Sequence, residues 1–400
     1  MYCVRRVSDD IYWVGGSDRR INLFENIFPI PRGVSYNSYL IMDEKTVLLD
    51  TVDYSISRQF IENITYVLNG RKLDYIVVNH MEPDHCAVIG DLILRYPDVT
   101  LIGNAKTFQM IDQFFGNAKY NTVIVKEGDT FNTGNHNLNF VMAPMVHWPE
   151  VMVTFDDATG ILFSADAFGT FGALDGTIFA DEVDFDRDWL DDARRYYTNI
   201  VGKYGAQVQA LLKKASNLDI KMICPLHGPI WRENLGYFIE KYDKWSKYEP
   251  EEKGVVIAYA SMYGNTENMA NVLANILAEK GVKNIRVYDV SNTHVSQLVS
   301  ESFKYSNIVL ASPTYNGGVY PIMENFIADI KALNLQNRDI AVMDNGTWAV
   351  TAGKFIINKI NEMKNMRVIE KVFSVKSAMA ETQIEEINEF ADMIIKSLNE

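Results

Sequence analysis

The sequence predicts an α/β chain of two domains. The first holds sheets between helical layers, and the second is a doubly wound parallel sheet. Three observations carry this reading. The chain has 400 residues, and length divided by ~150 gives two or three domains. A polar stretch, Trp245-Ser246-Lys247-Tyr248-Glu249-Pro250-Glu251-Glu252-Lys253-Gly254, precedes an abrupt apolar run over 255–260 and reads as a linker. The patterning also changes there, from short β-like runs mixed with helices to a regular strand–helix alternation. The domains are therefore placed at 1–250 and 254–400.

In the first domain, Tyr39–Met42 and Thr46–Leu49 flank Asp43-Glu44-Lys45 as a hairpin. Further strands are expected at 75–78, 100–102, 138–141 and 161–163, the last preceded by a turn at 157–160. Helical periodicity appears at 55–69, 104–115, 187–215 and 233–246, and 15–35 shows no regular pattern. In the second domain, strand 255–260 leads to helix 266–280, strand 284–289 to helix 294–303, and strand 307–311 to helix 321–333. Strands at 339–343 and near 367–374 come before a helix at 382–398.

Composition narrows the function. Hydrophobic residues make up 48% and charged residues 22%, which excludes global disorder. A net charge of −14 argues against sequence-independent nucleic-acid binding and against docking on an anionic membrane. The first ten residues hold no long apolar run, so no signal peptide is expected, and no stretch approaches the ~20 apolar residues of a membrane span. Cys3, Cys86 and Cys224 cannot build a disulfide framework, so a reduced, cytoplasmic setting is expected. There is no Cys-x-x-Cys and hence no rubredoxin-type centre within these residues.

The histidines are the informative residues. His80-Met81-Glu82-Pro83-Asp84-His85 follows strand 75–78 and offers four metal-ligating side chains in six residues. In an extended loop, positions i and i+2 point the same way, so His80 and Glu82 can share one ion. Asp84 and His85 are then available to a second. His147, Asp166 and His227 sit at comparable strand ends, 67, 19 and 61 residues apart in turn counting from His80. Each alone reads as a solvated or capping residue. Together they place four of the six histidines in one pattern. His136 and His294 fall outside it and read as surface residues. Cys86 and Cys224 read as small buried hydrophobes.

This pattern resembles the metallo-β-lactamase superfamily, whose usual motif is His-x-His-x-Asp-His with two zinc ions. Here Glu82 replaces the second His, and imidazole plus carboxylate suits iron. Within the superfamily the Glu form resembles the flavodiiron proteins. The resemblance implies one iron on His80, Glu82 and His147, another on Asp84 and His227, and Asp166 as the bridge. Family members differ at the position of His85. His147-Trp148-Pro149 matches a family signature, and members often carry a His near the position of Glu25.

Three loops of the second domain fit a flavin. Ser261-Met262-Tyr263-Gly264-Asn265-Thr266 lies between a strand and a helix N-terminus, where backbone N–H groups and hydroxyls cradle phosphate. Ser312-Pro313-Thr314-Tyr315-Asn316-Gly317-Gly318 and Asp344-Asn345-Gly346-Thr347-Trp348 also follow strands, at the sheet edge where ligands bind in open α/β folds. Taken singly, the first loop also reads as a plain N-cap turn, and Tyr315 and Trp348 as packing aromatics. The set resembles flavodoxin, with FMN phosphate in the first loop and the isoalloxazine between the others.

Across the chain the resemblance implies a metallo-β-lactamase-like αββα sandwich followed by a flavodoxin-like domain. It further implies a reductase of dioxygen to water, of nitric oxide to nitrous oxide, or of both. An external rubredoxin-like donor would feed FMN and then the two Fe ions, in a head-to-tail homodimer or dimer of dimers. Tyr196 and Tyr197, in Arg194-Arg195-Tyr196-Tyr197, are candidates for the substrate pocket. A binuclear zinc metallohydrolase with an accessory flavin domain is the alternative; Glu82 and the fused flavin domain argue against it. A flavin electron-transfer module with a degenerate first domain is the third reading, opposed by the complete ligand set.

Overall fold

The structure is a computed structural model that describes residues 1–116 and 119–400. Its contacts divide the chain into two compact units, Met1–Tyr197 with Ala206–Asp243, and Thr198–Gly205 with Lys244–Glu400.

Among the described residues the first unit holds a seven-stranded and a five-stranded sheet. The expected hairpin is present, with Leu40 opposite Leu48. Thr46–Leu49 continues the sheet in parallel with Tyr75–Val77, which pairs in turn with Thr100–Gly103. All four residues of Thr46–Leu49 are buried, the mark of a strand covered on both faces. Helix Ser57–Leu68 turns Phe60, Ile64, Val67 and Leu68 inward at helical spacing and ends on Asn69 in the left-handed region. The second sheet runs from Thr130–Asn132 through Asn137–Met142, Met152–Asp156 and Ile161–Phe163 to Met222–Cys224. Rings from the two sheets meet between them: Tyr39 lies 5.3 Å from Phe163, and Tyr75 4.6 Å from Phe131.

Three local features differ from the sequence reading. The segment 15–35 holds two small ribbons, Gly16–Asp18 with Val34–Tyr36 and Leu23–Phe24 with Phe28–Pro29. Strands of two or three residues are too short to show a period. The helix expected over 187–215 is broken into Leu190–Tyr196, a π-helical stretch Tyr197–Val201, a 3₁₀ turn Gly202–Tyr204 and Gly205–Ala215. Close packing marks the point where the last of these helices begins. A side chain at Gly205 would lie 2.3 Å from the Ser246 carbonyl and 2.8 Å from the Tyr248 ring. The third concerns His136, which is only 2% exposed rather than a surface residue. It is held between Asp156 and Asp10, at 2.7 and 3.0 Å. His294 is exposed and accepts from the Ser296 N–H at the start of helix Val295–Lys304.

The second unit is a parallel sheet in the order Ile285–Asp289, Glu252–Tyr259, Tyr305–Tyr315, Arg338–Asn345, Met366–Val375. In chain order that is 2-1-3-4-5, the flavodoxin-like winding. Alternate residues of the central strands feed two cores. Ala258, Ile308, Leu310, Ile340 and Val342 enter one. Val255, Ile257, Val309, Ala341 and Met343 enter the other. Helix Asn265–Glu279 packs Met269, Ala270, Leu273, Ile276 and Leu277 onto the second core. Helix Ala352–Ile360 follows the fourth strand, where the sequence reading had placed none. Among the described residues no helix is long and apolar enough to cross a membrane.

Candidate metal centre and flavin pocket

The loop after strand Tyr75–Val77 is fixed before it reaches any ligand. Asp50, at φ 55°, accepts from the Asn79 and His80 N–H groups with one oxygen, at 2.7 and 3.1 Å. Its other oxygen accepts from the Asn79 side-chain amide at 2.8 Å. Burial pushes this carboxyl up to about 6, against those hydrogen bonds. Pro83 then starts a single helical turn, Pro83–Cys86, with Glu82 extended at its N-cap. Thr51 donates to the His85 carbonyl through both N–H and Oγ1, at 2.8 and 2.7 Å.

The side chains converge as two groups, His80, Glu82, His147 and Asp166 in one, and Asp84, His85 and His227 in the other. In the first, His147 Nε2 lies 3.0 Å from Glu82 Oε2 and 3.1 Å from Asp166 Oδ2. His80 Nε2 lies 3.3 and 3.4 Å from the same two atoms. In the second, the Nε2 atoms of His85 and His227 are 3.0 Å apart, each 3.3 Å from Asp84 Oδ2. Asp166 turns its other oxygen, Oδ1, to this group, 3.2 Å from His85 and 3.7 Å from His227. One carboxylate thus faces both groups, and His85 stands with Asp84 and His227.

The donor chemistry fits two cations. His80 Nδ1–H donates to Glu150 at 2.9 Å and His227 Nδ1–H to the Ser35 carbonyl at 2.7 Å. Both Nε2 lone pairs are therefore free to face the cluster. Both Asp84 oxygens and Asp166 Oδ1 are buried with no hydrogen-bond partner among the described residues. Buried lone pairs left unpaired are costly, and a metal ion satisfies them. The same charge balance sets the pKa shifts of these groups. Burial opposes charge on His80, but Asp166, Glu150 and Glu82 raise its pKa well above the ordinary value. His147 is raised to about 9, against burial, by Asp166 and Glu82. Burial works against the charged form of Glu82 as well, yet His147 and His80 hold it below the usual carboxylate range.

Around the cluster stand aromatic rings. Phe24, Tyr196 and Tyr36 lie 5.4, 5.4 and 5.8 Å from the His227 ring. Tyr196 is fully buried, and its hydroxyl has no hydrogen-bond partner among the described residues. Tyr197 packs on Tyr242 at 4.9 Å. Glu25, on the turn between Leu23–Phe24 and Phe28–Pro29, is pushed up to about 8, chiefly by desolvation and then by the neighbouring Glu82. Cys86 donates to the Met81 carbonyl and Cys224 is buried; neither belongs to the two groups. Asp50 and Glu150 escaped the sequence reading. A carboxylate three residues past His147 was the only available signal for Glu150.

In the second unit a pocket opens at the C-terminal ends of the strands. It is lined by Ser261, Met262, Tyr263, Asn265, Thr266, Pro313, Thr314, Asn345, Gly346, Thr347 and Trp348, together with Ser377, which the sequence reading lacked. Gly264, Tyr315, Asn316, Gly317 and Gly318 are outside this lining. Gly264, at φ 90°, shapes the first loop, donating its N–H to Ser261 Oγ at 3.0 Å. Tyr315 pairs with Gly318 across an Asn316-Gly317 turn, both at positive φ, a two-residue hairpin of the I′ kind. That turn follows directly on Thr314, which lines the pocket. Thr314 Oγ1 accepts from the Thr351 and Ala352 N–H groups, bracing the second loop. Asn345 donates to the Ser377 carbonyl at 3.0 Å, bracing the third. Exposed aromatic faces of Tyr263 and Trp348 beside a helix N-terminus suit a flat ring carrying a phosphate.

A carboxylate-bridged pair of metal groups on one unit, and a phosphate-and-ring pocket on a flavodoxin-like sheet, define a flavin- and metal-dependent oxidoreductase. Residues 34–228 match the family model of the ODP family beta lactamases, and 257–390 match flavodoxin. The chain is 32% identical over 348 residues to the anaerobic nitric oxide reductase flavorubredoxin of Escherichia coli, covering 86% of this chain and 72% of that one. An uncharacterised protein of Methanocaldococcus jannaschii is 32% identical, with 97% of each chain covered. Among solved structures, the rubredoxin oxygen:oxidoreductase of Desulfovibrio gigas superposes with a TM-score of 0.93 at 27% identity, over 99% of this chain and 98% of that one. The flavodiiron protein of Giardia intestinalis gives 0.92 at 26%, with the same coverage. The chain belongs to the flavodiiron protein family, whose cofactors are FMN and a diiron centre.

Proposed function

We propose that this oxidoreductase reduces dioxygen to water, nitric oxide to nitrous oxide, or both, taking electrons from a rubredoxin-like donor through FMN to the metal pair. The observation that carries this reading is Asp166, whose two oxygens face two separate imidazole groups. That arrangement suits two redox metals set close enough to act on one small molecule. The names of the Escherichia coli and Desulfovibrio gigas relatives support both gases and the donor class.

His80, Glu82, His147 and Asp166 would hold one iron, and Asp84, His85 and His227 the other, with Asp166 shared. When bound, the irons supply the redox change and the site for the gas, and FMN delivers electrons singly. The protein does the rest. Asp50 and Thr51 hold the ligand loop in place. Phe24, Tyr36 and Tyr196 keep bulk water from the His227 side. Tyr196, with a buried hydroxyl near the cluster, is the better placed of the two tyrosines to donate a hydrogen bond to a substrate; Tyr197 supports it from the helix.

Cofactor pockets on separate units, with Met262, Tyr263 and Trp348 exposed at the flavin rim, favour a head-to-tail homodimer or dimer of dimers that covers that rim. A cytoplasmic setting suits the unpaired cysteines.

The test is anaerobic purification, metal and flavin analysis, and gas consumption with reduced rubredoxin as donor. Two irons and one FMN per chain, with oxygen or nitric oxide consumed, support the reading. Zinc with hydrolytic activity, or FMN without metal, would overturn it. A strictly monomeric active enzyme by sedimentation would refute the dimer.

A further inference from the structure

The imidazoles of the cluster are not backed equally. His80 Nδ1–H donates to a carboxylate, Glu150, at 2.9 Å. His227 Nδ1–H donates to a neutral carbonyl at 2.7 Å. His85 Nδ1 is buried with no partner among the described residues. Glu150 Oε1 also accepts the Met81 N–H at 2.8 Å, so one oxygen clamps both the ring and the backbone beside it. Its second oxygen is buried, with no hydrogen-bond partner among the described residues. The side chain is 0% exposed. A buried carboxylate is expensive to keep, and here its hydrogen bonds go to the ligand loop.

We infer that Glu150 is a positioning residue that, through His80, tightens the His80–Glu82–His147 metal group relative to the Asp84–His85–His227 group. A carboxylate behind an imidazole fixes the tautomer, aims Nε2 and raises the basicity of the ligand; loss of such a partner typically weakens metal binding by about 10–100-fold. His85, with no such partner, receives none of this. The two ions are then inequivalent, with the first held more strongly. This rests on the reading that the cluster holds two ions.

The test is a cobalt(II) titration of the full-length, FMN-loaded chain stripped of metal, followed through the cobalt absorption bands. The wild type should take up two ions in distinguishable steps. Glu150→Ala should weaken one step by about 10–100-fold and shift its band, leaving the other step in place. Glu150→Gln keeps an acceptor oxygen and loses the charge, so it should fall between the two. Circular dichroism checks that each variant is folded; if Glu150→Ala is not, Glu150→Gln decides alone. A folded variant with wild-type affinity and bands at both steps overturns the role of Glu150 and leaves the two-ion reading intact. Uptake of fewer than two ions by the wild type sinks that reading, and this inference with it.

Discussion

His136 offers a stability prediction whose sign and size both come from geometry. It is only 2% exposed, with Nδ1 2.7 Å from Asp156 and Nε2 3.0 Å from Asp10. Burial works against its charge, but the two carboxylates overcome this and push it from 6.5 up to about 9. A folded-state pKa above the unfolded value gives stability that is complete below the unfolded pKa, near 6.5, and is lost as pH rises through the folded one, near 9. The gap between those two values corresponds to about 3 kcal/mol at 1.36 kcal/mol per pH unit. The perturbation is His136→Gln, which keeps hydrogen-bonding capacity and removes the charge. At pH 6 it should destabilise by roughly 4 kcal/mol, the charge contribution of about 3 on top of the hydrogen bond that remains at high pH, because Asp156 stays buried without its cation. At pH 10 the deficit should shrink to roughly 1 kcal/mol, the worth of an ordinary hydrogen bond. Urea unfolding of both proteins across pH 6–10 measures the difference curve, in which titrations common to both cancel. A deficit that stays constant or grows toward pH 10 would refute the charged clamp.

Other perturbations address the sites. Asp166→Asn removes the charge that both metal groups share; iron content should fall and the gas reduction proposed above should be lost with it, while FMN stoichiometry stays at the wild-type value. Retention of two irons and activity would contradict the bridge. Gly346→Ala places a methyl 1.8 Å from the Ala349 carbonyl, so the loop must move, and FMN affinity should drop at least tenfold by fluorescence titration. Phe390→Ala empties a fully buried position of the second core and should cost about 3–5 kcal/mol in urea unfolding of the flavodoxin-like unit. Trp348, 80% exposed, is the contrast: Trp348→Ala should change stability by less than about 0.5 kcal/mol, and its effect should appear in the flavin spectrum.

Much of the fold was legible because its signals are local. The parallel strands of the second unit are continuous apolar runs separated by helical patterns, and each such run needs only its own residues to be recognised. The ligand loop was legible for the same reason, since four donors crowd into six residues. Helix Ala352–Ile360 and the short ribbons of 15–35 were missed because their local signals are weak or brief. The break in 187–215 has no local signal, and the close neighbours of Gly205 at its end, Ser246 and Tyr248, lie some forty residues away in the chain. Glu150 and Asp50 are of the same kind. Each matters only through its distance to His80, which no window of sequence contains.

His136 and His147 show where the limit lies. From the sequence both are histidines next to strands, and the structure gives both the same near neighbours, two carboxylates each. His136 has Asp156 and Asp10 at 2.7 and 3.0 Å; His147 has Glu82 and Asp166 at 3.0 and 3.1 Å. Those contacts do not distinguish a structural clamp from a metal ligand. The difference lies one contact further out. Asp156 is saturated: one oxygen accepts from the Asn137 and Ala158 N–H groups, and the other accepts from Thr159 as well as His136. Asp166 Oδ1 has no hydrogen-bond partner among the described residues and turns to two more imidazoles. A proton on His136 completes its site. A proton on His147 leaves buried lone pairs on Asp84 and Asp166 unanswered, and positive charge placed among them settles that surplus. The excess of unshared lone pairs, rather than the identity of any one residue, is what marks the cluster as a place for metal.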